Sequence, residues 1–184
     1  MRRLASGAVA ILLLASLAGR PVAIHAENAP TEYQVKSAFI YNFVKFVDWP
    51  REAFARDDSP FIIGILGTDV FGGELERIVG PKSINQRRLK IEHLQPGDDL
   101  RHCHVLFVAP SEEKKLNQIF PPLKDRPVLT IGETPNFARA GGVIGFIIED
   151  GKVRFEINVD AARRSHLFIQ SALLNLARIR HDGP

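Results

Sequence analysis

The sequence predicts an α/β domain: a largely parallel mixed sheet flanked by helices on both faces, with a C-terminal antiparallel hairpin and a final helix. Three observations carry that prediction. Short apolar runs bounded by Pro and Gly recur along the chain, as in strands covered on both faces. Segments of helical periodicity alternate with them at spacings that suit crossover connections. Near the end, two apolar runs are joined by Asp150-Gly151, a strong hairpin signal.

The first segment belongs to export rather than to the fold. Arg2 and Arg3 precede an uncharged run from Leu4 to Ala18, which ends before Arg20. A positive start followed by an apolar stretch is the pattern of a signal peptide. The stretch is short of the ~20 apolar residues that span a bilayer, so it reads as cleavable rather than as an anchor. Small residues place the cut after Ala26 or after Ala18, and residues 1–26 are taken as the signal peptide. The expected compartment is the periplasm. Cleavage removes three of the 24 basic residues and none of the 21 acidic ones, so the formal charge of +3 falls to zero. A neutral chain lacks the basic surface that phosphate backbones require, and nucleic acid is not an expected partner. Residues 27–184 are long enough for one domain with its own core.

The elements of that domain follow in order. Thr31, Glu32, Tyr33 and Gln34 form a capping box at a helix start. Behind it Val35, Ala38, Phe39, Asn42, Phe43 and Phe46 fall on one side, giving an aromatic-rich buried stripe. Pro50 ends this helix by Trp49. Phe61 to Leu66 is the first strand, and a short helix around Gly73 to Val79 follows. Arg88 to His93, Val105 to Val108 and Val128 to Ile131 are further strands, with a helix from Glu112 to Phe120 between the last two. Val143 to Ile148 and Val153 to Val159 form the hairpin. In its second strand Val153, Phe155, Ile157 and Val159 alternate with Lys152, Arg154, Glu156 and Asn158, which puts one face in the core and leaves the other wet or bound. Asp160 then caps a last helix running from Ala161 to Ile179.

Motifs that carry chemistry are scarce. Gly64, Gly67, Gly72 and Gly73 follow the first strand, where α/β proteins bind phosphates, but their spacing fits neither the dinucleotide nor the P-loop fingerprint. Asp69 in the same loop would repel an anion. No nucleophile elbow surrounds Ser111 or Ser165, and His166 falls in the expected last helix. Asp57-Asp58 and Asp98-Asp99 lie in polar, turn-like stretches. His102, Cys103 and His104 invite a metal reading, yet on a strand Cys103 would face away from both histidines. The thiol is expected to be a buried apolar group. No catalytic, metal or cofactor-binding residue is assigned.

Several stretches together resemble one family: Tyr33-Gln34-Val35-Lys36, Tyr41-Asn42-Phe43, Trp49-Pro50, Gly64-Ile65-Leu66-Gly67, Cys103-His104-Val105-Leu106-Phe107, Val128 through Glu133, Phe137-Ala138, Gly141-Gly142 and Val153 through Asn158. The chain resembles the YfiR family over nearly the whole domain. That resemblance implies a periplasmic regulator that inhibits an inner-membrane diguanylate cyclase through its periplasmic sensor region. Cyclic di-GMP, biofilm formation and motility are then the output. An outer-membrane lipoprotein that sequesters the regulator, and homodimer formation, are implied likewise. A membrane histidine kinase is a second partner class. Family members carry disulfide pairs, whereas Cys103 is the only cysteine here, so internal disulfide control is not expected. For the partner surface the residues point to the hairpin and the loop before it: Phe137, in a Pro/Gly-flanked loop that could expose it, with Glu149, Arg154 and Glu156 on the wet side or turn. Two alternatives remain: a periplasmic binding protein for a nucleotide or amino acid held near Gly67 to Gly73, and an enzyme whose site is dispersed in sequence.

Overall fold

The computed structural model describes residues 29–182. The segment read as a signal peptide lies outside the described residues. Thr31 opens helix α1 (Glu32–Phe46) with the expected box: its hydroxyl accepts from the Gln34 amide at 3.3 Å, and its own N–H donates to Gln34 Oε1 at 2.9 Å. The buried stripe of α1 is turned from the predicted one. Lys36, Ser37, Ile40, Phe43 and Val44 are buried, while Ala38 is exposed and Val35 is only half-buried. Phe39 and Phe43, both of the predicted stripe, meet Phe155 at 5.3 Å and 4.9 Å between ring centres. After α1 the chain runs on as β1 (Val47–Asp48).

Strand β2 (Phe61–Leu66) is the axis of an eight-stranded sheet. It pairs in parallel with β4 (Arg87–Leu94) on one side and β5 (Val105–Val108) on the other. Beyond β5 come β6 (Leu129–Gly132) and β7 (Ile144–Glu149), also parallel. β8 (Lys152–Asn158) returns antiparallel through Asp150 and Gly151, both at positive φ as an Asp-Gly turn requires. A second hairpin, between β3 (Ser83–Ile84) and β4, turns on Asn85 and Gln86 at φ 48° and 66°. It was not expected, since Asn-Gln is a weak turn signal.

Helices cover both faces, as predicted. On one, α1, α2 (Glu74–Val79) and α4 (Val159–Arg164) enclose Ile63, Ile65, Phe107, Ile131 and Phe155. On the other, α3 (Leu116–Ile119), reached by a 3-10 turn over Pro110–Lys115, encloses Leu66, Leu106 and Val108.

The last expected helix is a correction. Instead of one helix from Ala161 to Ile179, the chain forms α4, then β9 (Phe168–Ile169) paired with β1, then α5 (Ser171–Leu174), then β10 (Arg178–Arg180) beside β8. His166, at φ 54°, stands in the turn that ends α4 and not in a helix. The cap is Asn158 rather than Asp160: its Oδ1 accepts from the amides of Asp160 and Ala161 at 3.1 Å and 2.9 Å. The apolar spacing that looked helical serves short pieces with different partners. β10 lies along Glu156 to Asn158, and there the polar side of β8 is not wet: Glu156 and Asn158 are buried, while Lys152 and Arg154 are exposed as expected.

At the start of β2, His104 carries a local lock. The Ile62 amide donates to Nδ1 at 3.1 Å, Nε2–H donates to the Ala53 carbonyl at 3.1 Å, and the ring stacks on Phe54 at 4.4 Å. Burial pushes its pKa down to about 4. The native state therefore holds the neutral ring, while the unfolded chain takes a proton below about 6.5. Stability from this site is complete above that pH and is lost as the pH falls toward 4, by up to about 3 kcal/mol. Urea unfolding at pH 7 and 4.5 should show a steeper fall for the wild type than for His104→Phe; equal slopes would exclude the histidine as the cause.

Candidate functional site

The order of strands reverses at β2, and the carboxyl ends of β2 and β5 flank the crevice where open α/β sheets bind ligands. Here the loops close on each other. The Thr68 amide donates to Ser111 Oγ at 3.0 Å, Ser111 donates to buried Glu112 at 3.2 Å, and Lys115 pairs with Glu112 at 2.8 Å. A Cβ on Gly67 would stand 2.4 Å from Ser111 Oγ, so only glycine, at φ 91°, lets the loops meet. Asp69 is spent on the Phe71 amide at 2.8 Å. The glycines of this loop thus serve tight turns.

One strand further along the same rim, a second cluster forms. Glu133 directly follows β6, and Lys36 reaches it from the first turns of α1. The Lys36 ammonium pairs with both Glu133 and Glu32, and the Tyr33 hydroxyl donates to Glu133 at 3.3 Å. Burial alone would discharge Lys36, but its hydrogen bonds to Glu133 and Glu32 outweigh that and hold its pKa above the ordinary value. Burial, with the Glu133 charge beside it, pushes the Tyr33 pKa up, so the phenol stays protonated. These residues border an open cleft of about 520 Å³ whose other wall is Pro110, Pro135, Phe146 and Ile148. The sequence held one faint sign of it, the Glu32–Lys36 spacing of an i,i+4 ion pair. Nothing local marked Lys36 as buried.

The four residues expected to meet a partner do not stay together. Phe137 is 1% exposed, packed between Gly132 and Gly142 with Phe120 edge-on at 5.6 Å, so its loop does not present it. Glu156 is buried under Arg180 and Arg178, at 2.5 Å and 3.6 Å. Glu149 and Arg154 are exposed, as expected; Glu149 pairs with Arg178 at 2.6 Å, and Arg154 forms no ion pair among the described residues. Beside them Ile148 is 55% exposed, a large apolar group that was not singled out.

Cys103 is buried, and burial pushes its thiol pKa up to about 12, which leaves it inert at neutral pH. The expectation that it faces away from both neighbouring histidines holds for His104 only. His102 precedes the strand in a turn, and its Nε2 lies 4.0 Å from Sγ while pairing with Glu92 at 2.8 Å. Among the described residues no group of three or more His, Cys, Asp or Glu is placed to hold a metal ion.

A family model described as YfiR/HmsC-like matches residues 33–178, from the start of α1 to the start of β10. The chain belongs to the YfiR/HmsC-like family. The match takes in the packed crevice, the Lys36 cluster and the hairpin of this YfiR/HmsC-like chain alike. Among its described residues no helix is long and apolar enough to cross a membrane.

Proposed function

We propose that this YfiR/HmsC-like chain is a periplasmic regulatory binding protein. It inhibits an inner-membrane diguanylate cyclase, or a similar sensor such as a histidine kinase, by holding that protein's periplasmic region. The family match over residues 33–178 carries the reading. It acts by differential affinity, binding one conformation of the sensor more tightly than the other, and a preference of a few kcal/mol is enough. No catalysis is needed. An outer-membrane lipoprotein competing for the chain would release the cyclase, and a homodimer would offer two such surfaces.

The contact surface is the exposed end of the β7–β8 hairpin, with Ile148 on one face and Glu149 and Arg154 on the other. Phe137 and Glu156 act behind it as support. Deleting the gene should raise cellular cyclic di-GMP, and the purified protein should capture the cyclase from solubilised membranes. The double variant Ile148→Asp, Arg154→Glu should lose that capture at least about tenfold, as central interface positions do, with its Tm within a few degrees. Unchanged cyclic di-GMP and no cyclase recovered would exclude the repressor reading.

A further inference from the structure

Among the described residues the cleft beside α1 holds one more carboxylate than ammonium. Glu32 and Glu133 contribute two carboxylates against the single ammonium of Lys36, and the Tyr33 phenol is neutral. Lys36 engages Oε1 of Glu32 and Oε2 of Glu133, and Tyr33 engages Oε1 of Glu133; Oε2 of Glu32 has no partner among the described hydrogen bonds. Glu32 stands at the mouth, its side chain about half exposed, while Glu133 lies at the floor. Glu32, at the mouth, is the carboxylate left with a free oxygen, and the apolar walls beside it strengthen its attraction for a cation arriving from outside.

The walls say which kind of cation. The Lys36 ammonium already sits 4.8 Å from the Tyr33 ring centre and 5.9 Å from that of Phe146, so the cleft tolerates ammonium groups against aromatic faces. Ile148 and the two prolines add an apolar flank, and about 520 Å³ admits a small organic molecule. A divalent metal fits poorly, since it would bring two charges against the fixed ammonium with only two carboxylates to hold it. An anion would meet the excess carboxylate. We propose that this cleft is a binding site for a small organic cation, a primary amine on an apolar or aromatic body, with its ammonium on Glu32 and Glu133 and its body against Phe146 and Ile148.

The cleft shares Ile148 with the hairpin contact, but its charged end lies on α1 and after β6, and its test uses no membrane partner. Titration calorimetry with benzylamine should give saturable binding with a Kd of about 1 mM or tighter, within reach of a fragment of this size. Benzyl alcohol, the same body without the charge, should bind at least about tenfold more weakly, and phenylacetate should not bind. Glu32→Gln should weaken benzylamine at least about tenfold while leaving Tm within a few degrees, because Glu32 is partly exposed; Glu133→Gln should weaken it as well. Equal binding of amine and alcohol, benzylamine binding unchanged in Glu32→Gln, or no saturable binding of benzylamine, hexylamine or spermidine would each overturn the proposal.

Discussion

Replacing Phe137 with alanine is expected to lower the free energy of unfolding by about 3–5 kcal/mol, the cost of a large core deletion that its surroundings cannot fill. For a domain of this length that corresponds to a Tm lower by roughly 10 °C. The surroundings are stiff for a stated reason. Gly132 ends β6, Gly142 stands just before β7, and a Cβ on either would come within 2.4 Å and 2.1 Å of the ring. The backbone thus forms two sides of the slot, and Phe120 forms a third. Backbone held by strand ladders cannot collapse into the vacancy. The converse substitution, Gly142→Ala, should cost about 1–3 kcal/mol through overpacking. Combined with Phe137→Ala it should cost less than the sum, because the new methyl group then points into the space vacated by the ring. Denaturant unfolding of the two single variants and the double variant measures this. Strict additivity, or a loss for Phe137→Ala under about 1 kcal/mol, would contradict the slot.

The same residue marks where local reading stopped. Phe61 to Leu66 and Val105 to Val108 announced themselves as strands because a run apolar on both faces has few other uses, and Asp150-Gly151 named its turn by backbone chemistry alone. Phe137 sits among Pro135, Asn136 and later glycines, the composition of a surface loop. What buries it is the absence of side chains at Gly132 and Gly142, which matters only once β6 and β7 lie side by side. The segment from Ala161 to Ile179 was misread for a related reason. Its apolar spacing suits a helix, but strand pairing of Phe168 with Asp48 and of Ile179 with Ile157 depends on chain far away in sequence. Lys36 was illegible in a third way, since a lysine near a helix start ordinarily faces water, and its buried partner Glu133 arrives from the end of β6, 97 residues further along the chain.

Replacing Lys36 with methionine should cost about 3–5 kcal/mol, most of it the penalty of leaving Glu133 buried without a counter-charge. The pH dependence distinguishes this from lost packing. Without the ammonium the buried Glu133 carboxylate has no counter-charge in the native variant, and a proton relieves that cost. Stability is then regained as the pH falls and lost as it rises, and the deficit against the wild type should shrink toward about pH 4.5. A paired change, Lys36→Met with Glu133→Leu, removes both charges and should recover much of the loss at pH 7. A deficit that stays constant between pH 7 and 4.5 would assign the effect to packing.

Strand β10 completes the sheet at its hairpin edge by pairing in parallel with β8, through the turns of α4, β9 and α5. It therefore docks only after the strands before it have been made, and the arginines that cover Glu156 arrive with it. A product truncated before Arg178 keeps every other strand but bares the outer edge of β8 and strands a carboxylate at that edge. Quality control by proteases would find such fragments by their open edge, and chains that include Arg178–Arg180 would be spared by that short strand.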